Sequence, residues 1–195
     1  MKNRHLSAFL LVFSLAFRVS YSQPLPAPTG VQSDLQRVVE AYLHQFQGQL
    51  GEELVRNPQS TDYQSLVRVS GAEQCVITRY SDRKKPVYSY KAVLPATDDF
   101  EAAKKQFRSL FRQLNNLPVR LGASRSVLFR GTYEEPEEGR GFTSILFAAD
   151  STEPAIRHVR IELSLEPDLM DWKISLSVYE KEREDDEPGQ PGDGE

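Results

Sequence analysis

Between residues 33 and 50 the apolar positions Leu35, Val38, Val39, Tyr42, Leu43, Phe46 and Leu50 recur three and four apart, lining one face of a helix. Ser33-Asp34-Leu35-Gln36 has the spacing of a capping box, so the pattern predicts a helix starting at Ser33, with Gly48 or Gly51 closing it. A second helix is predicted after Thr97-Asp98-Asp99, whose side-chain oxygens suit a positive helix terminus. Phe100, Ala103, Phe107, Leu110, Phe111 and Leu114 form its apolar face, and Asn115, Asn116 and Pro118 stop it.

Elsewhere the pattern is that of strands. Strand-length runs at 64–69, 73–80 and 87–94 precede the second helix, and runs at 126–133, 142–149, 158–165 and 172–179 follow it. The last two alternate cleanly. Val159, Ile161, Leu163 and Leu165 oppose His158, Arg160, Glu162 and Ser164, while Trp172, Ile174, Leu176 and Val178 oppose Lys173, Ser175, Ser177 and Tyr179. One face of such a pair is buried and the other is wet. The expected fold is a two-layer α+β domain over residues 33–179, an antiparallel β-sheet of about six to seven strands with two helices packed on one face. Each half runs from a helix into strands, as a duplication would, but no residue-by-residue repeat accompanies this order. A fold of this kind carries no function by itself.

The flanks change the picture of where the domain works. Met1-Lys2-Asn3-Arg4-His5 is basic, and residues 6–17 are apolar apart from Ser7 and Ser14 before Arg18 ends the run. Twelve such residues fall short of the roughly 20 a spanning helix needs. With Ser20 and Ser22 beside the following Gln23, this predicts a signal peptide at 1–22, cleaved after Ser22, and no stable membrane span after cleavage. A Pro-rich linker follows at 23–32. The expected location is extracytoplasmic, in a bacterial periplasm or secreted.

Residues 180–195, EKEREDDEPGQPGDGE, contain no large apolar side chain and are predicted to form a disordered acidic tail. The whole chain has 24 basic and 28 acidic residues, a net charge of −4. Loss of Lys2, Arg4 and Arg18 leaves 21 basic residues, and the tail holds eight acids and two bases, so residues 23–179 carry 19 bases against 20 acids. The acidity belongs to the tail, and a nearly neutral exported body argues against a nucleic-acid partner. A single cysteine, Cys75, rules out a disulfide within the chain and reads as a small core hydrophobe in a strand.

Candidate chemistry is sparse. His44 and His158 lie outside any catalytic signature, and no nucleophile elbow, phosphate loop, dinucleotide fingerprint or zinc motif is present. No catalytic residue, metal ligand or cofactor is therefore assigned. Glu134, Glu135, Glu137 and Glu138 crowd a loop without the spacing of a calcium site. Two surfaces remain as candidates. Lys104, Lys105, Arg108 and Arg112 form a basic stripe on the second helix, suited to an anion or an acidic partner. Tyr42, Phe46, Phe107 and Trp172 are aromatics that would line a pocket for a small apolar ligand if the helices and sheet enclosed one. The expectation is an exported, non-catalytic binding or protein-interaction domain. Its rivals are a hydrolase-like enzyme assembled from scattered residues, with Cys75, His158 or the 134–138 loop taking part, and an envelope chaperone or assembly factor using the open sheet face or an edge strand.

Overall fold

A computed structural model describes residues 30–81, 86–122 and 125–181; the expected signal peptide, most of the linker and the tail beyond Lys181 lie outside these. Helix α1 spans Val31–Leu43 and helix α2 spans Phe100–Leu114. The strands are β1 Leu50–Arg56, β2 Ser60–Ser65, β3 Gln74–Tyr80, β4 Val87–Val93, β5 Leu117–Leu121, β6 Arg125–Arg130, β7 Thr143–Ala149, β8 Val159–Asp168 and β9 Asp171–Glu180. The described residues are thus α+β, with nine strands in one antiparallel sheet where the sequence pattern gives six to seven.

The order across the sheet is β1-β2-β3-β4-β9-β8-β7-β6-β5. Each half is a helix followed by a meander, and the final strands of the two halves, β4 and β9, join at the centre with Tyr90 opposite Val178 and Ala92 opposite Leu176. Helix α2 packs on β8 and β9, whereas α1 packs on β4, β9 and the far edge strand β5. Contact of one helix with strands five places apart requires the sheet to curl around it.

The apolar face of the last hairpin is buried as its alternation predicts, but the opposite face is not wet throughout, since Ser164 and Ser175 are buried too. Ile161, Leu163, Leu165, Ile174, Leu176 and Val178 are buried in the main cluster, and across the pair Ser164 meets Ser175 through a 2.8 Å hydroxyl contact on the other face. Burying each large aliphatic side chain contributes on the order of 1.5 to 3 kcal/mol before entropy is counted. The expected α2 start also stands: Asp99 is the N-cap and accepts from the Ala102 amide at 3.0 Å.

The first helix differs from its expected bounds at both ends. It begins at Val31 behind Gly30, and Ser33, inside the first turn, donates to the Gly30 carbonyl at 2.8 Å, so no capping box forms. It ends at Leu43. The Gln45 amide bonds the Tyr42 carbonyl and the Phe46 amide bonds the Ala41 carbonyl, both at 2.8 Å, which is the Schellman pattern. Gln45 and Phe46 both take positive φ, 55° and 52°, and this reversal turns the Phe46 ring into the core instead of prolonging the helical stripe.

Three strand assignments change as well. Strand β1 is a mostly exposed edge strand with no buried alternate positions, so it leaves no period in the sequence. The run at 64–69 is displaced: β2 ends at Ser65, and Val67 and Val69 are buried from a loop where Val67 accepts from Ser65 and Tyr90. Strand β5 contains Pro118, which reads as a helix stop.

Candidate functional site

The basic stripe of α2 is partly consumed within the chain. Arg108 pairs with the Glu135 carboxylate and donates through Nε to the Tyr133 hydroxyl at 3.2 Å, while Lys104 Nζ lies 3.0 Å from the same Glu135 oxygen. Hydrogen bonds from Lys104 and Tyr133 hold the Glu135 carboxyl below its usual range, and Glu135 in turn raises Lys104. Lys105 and Arg112 remain exposed. In the same loop Glu134 pairs with Arg140, so two of its four glutamates already have cationic partners. Among the described residues there is no group of three potential metal ligands.

The four aromatics do not meet around a cavity. Phe46 and Phe107 are fully buried, with Phe46 stacked on Tyr90 at 6.1 Å and edge-on to Tyr42 at 5.8 Å. Tyr42 and Trp172 sit partly buried at the margin of the core, Trp172 against Phe100 at 4.8 Å. Burial, with the Glu180 charge nearby, pushes the Tyr42 phenol well above its ordinary range.

The groups named for a scattered catalytic site are also placed. Cys75 is buried in β3, and its thiol adjoins the Tyr90 hydroxyl, whose titration burial pushes far upward. His158 accepts from Arg157 Nε at 2.7 Å just before β8. Among the described residues no hydrogen bond or ion pair joins these two to the glutamate loop.

Two open grooves occur among the described residues. One, about 760 Å³, runs beside the C-terminal half of α1; Ala41, Leu66 and Val67 supply its apolar surface, and Arg37, His44 and Arg120 stand around it with Glu40. The other, about 940 Å³, lies between β6 and the segment 149–153, where Arg125 pairs with Glu153. Both sheet edges are blunted against further strands. Strand β1 carries register shifts on either side of Glu53, and β5 is five residues long, includes Pro118 and packs against α1.

The most unusual feature is the β8–β9 turn, which the sequence pattern leaves unmarked. Asp168 pairs with Asp171 in the ladder, so Leu169 and Met170 form a two-residue loop. Both side chains are bare, 100% and 91% exposed, and Leu169 takes φ of 60°, where such turns normally place Gly or Asn. Acids flank this apolar tip in the hairpin itself: Asp168 and Asp171 bracket it, Asp168 bonds Lys173 at 3.0 Å, and Glu166 lies 3.7 Å from the same ammonium.

No family model, curated protein or solved structure matches the chain. The site must therefore be read from its own chemistry. The sequence signal for the tip is negative: Leu-Met between two aspartates, at the point where two alternating strands must reverse and Gly or Asn is expected.

Proposed function

We propose that the chain is an exported, non-catalytic protein-interaction domain whose contact element is the β8–β9 turn. The observation that carries this reading is the pair Leu169 and Met170, apolar, fully exposed and held in part in a left-handed backbone that costs a leucine free energy. A soluble fold gains nothing from that arrangement, whereas a partner that buries both side chains recovers their transfer free energy. Packing of Phe46 and Phe107 into a filled interior favours a surface contact over an internal apolar ligand. The blunted edges of β1 and β5 favour it over strand addition.

A photoreactive residue at position 170, expressed in the organism's own extracytoplasmic space, tests this directly. Crosslinks to protein are expected from position 170 and not from Glu137, an exposed control away from the turn. Equal yields, or none, would overturn the assignment of the tip. The export part has its own test, since amino-terminal sequencing of the mature protein is expected to begin at Gln23, and retention of Met1 would sink it.

A further inference from the structure

We infer that the acidic segment 182–187 docks on a row of arginines across the sheet face opposite the helices, and keeps that face from other anions. This does not depend on the reading of the β8–β9 turn. Register fixes the row. Arg130 on β6 stands opposite Ala148 on β7, Ala148 opposite Arg160 on β8, and Arg160 opposite Tyr179 on β9. Opposed residues of antiparallel strands share a face, and the adjoining Phe147, Ile161 and Val178 point the other way, into the core. The two arginines are thus two strands, roughly 10 Å, apart, with an alanine methyl between them.

Arg157 adds a third cation at the start of β8. Its Nε donates to His158 at 2.7 Å, and Arg160 Nη1 donates to the Arg157 and Val159 carbonyls at 2.8 and 2.9 Å. These contacts fix both guanidinium groups without neutralising them. Among the described residues no carboxylate pairs with Arg157 or Arg160, and Arg130 has only Asp150, 3.9 Å away and itself 83% exposed. Of the other acids nearby, Glu162 accepts from the Tyr179 hydroxyl at 2.9 Å, and Glu180 stands in register with Val159 on the opposite face.

The path of the chain selects the occupant. The Lys181 amide bonds the His158 carbonyl at 2.9 Å, so the chain leaves the sheet beside Arg157 and close to Arg160. Its next six residues, Glu-Arg-Glu-Asp-Asp-Glu, carry five acids and one base. Extended, they cover about 20 Å, and Arg130 lies three strands from β9, roughly 15 Å away. A segment tethered this closely meets the row at an effective concentration of about millimolar, which a free acidic ligand must exceed to displace it. Charge and tether together favour this segment over an acidic partner in solution.

Paramagnetic relaxation reads the contact. A nitroxide is placed on Gln190→Cys in the chain from Gln23 to Glu195, the native Cys75 being buried. Broadening of the Ala148 and Arg130 amides is expected at low ionic strength, and it should fall at least about threefold in about 1 M salt, where screening shortens to about 3 Å. Arg130→Gln with Arg160→Gln should remove it to the same extent. Arg160 is half-buried, so a second variant acts outside the sheet: Glu182→Gln, Glu184→Gln, Asp185→Asn, Asp186→Asn and Glu187→Gln together should have the same effect. Broadening confined to the neighbourhood of His158, which the tether alone enforces, would overturn the inference. So would broadening of Ala148 and Arg130 that is indifferent to salt or survives neutralisation of the segment.

Discussion

Leu169 sets two effects of opposite sign against each other. A leucine in the left-handed region costs about 1 to 2 kcal/mol, while replacement by glycine gives back about 0.4 to 1 kcal/mol through the more flexible unfolded chain. The Leu169→Gly change is therefore expected to stabilise the isolated domain by roughly 0.5 to 1 kcal/mol and raise its melting temperature by a few degrees. Scanning calorimetry checks this, and a clear drop would show that the side chain has a stabilising contact. A variant that is more stable yet contacts its partner less is the signature of a residue kept for function.

Asp34 shows the reverse case, a costly residue that holds the fold. It is 4% exposed; burial alone raises its carboxyl, but the Ser70 hydroxyl and amide, with Arg37, outweigh that and bring it below the usual value. Its folded pKa is thus depressed. The contribution is complete above the unfolded pKa of about 3.9 and disappears as pH falls through the folded value. The Asp34→Asn variant is expected to lose about 1 to 3 kcal/mol at pH 7 and to converge on the parent in strong acid. Urea midpoints followed from about pH 7 down through the acid range trace that window, and a gap that stays constant throughout would refute the assignment.

At the level of elements, close approach explains Gly51 better than turn chemistry does. A Cβ there would lie 2.8 Å from the Gln64 carbonyl oxygen and 3.2 Å from Leu66 Cδ2, at the first irregularity of β1. Backbone cannot yield as a side-chain tip can, so Gly51→Ala is expected to cost about 1 to 3 kcal/mol and to loosen the β1–β2 pair. Amide hydrogen exchange should accelerate at Gln64 and Ser65 ahead of β8 and β9, and uniform protection would count against this reading.

The same scale shows what the sequence made legible. Elements whose apolar positions recur on one face, β7, β8, β9 and α2, are legible to within a few residues because burial imprints a period on them. Strand β1 has no such imprint, being exposed on nearly every residue, and β5 hides behind Pro118. Phe46 obeyed the helical spacing for the wrong reason: it is buried through two consecutive left-handed residues, a backbone event that spacing does not encode. The basic stripe was visible on α2, but its partner Glu135 lies 27 residues from Arg108 in sequence and only the fold joins them. The tip leaves no signal in the sequence because leucine and methionine carry no reactive group, and their exposure is a property of the finished hairpin.

Across the whole molecule the repeated order of helix and meander invites a division into two units, and the packing refuses it. Helix α1 belongs to the first half by sequence, yet it rests on β5 and β9 of the second, and the β4–β9 ladder runs through the middle of the sheet. Buried residues from both halves, such as Leu35, Val38 and Tyr90 with Leu117, Leu176 and Val178, form a single cluster. A fragment ending at Leu94, before α2, would expose the faces of α1 and β4 that those second-half residues cover. At roughly 25 cal/mol per Å² of apolar surface, every ~100 Å² so exposed costs about 2.5 kcal/mol, against the few kcal/mol of net stability usual for a chain of that length. The fragment 23–94 is therefore expected to be unfolded by circular dichroism and amide dispersion, and the intact domain to melt in one transition with equal calorimetric and van't Hoff enthalpies. Two resolved transitions, or a folded fragment, would instead make each helix-and-meander half a unit with a core of its own.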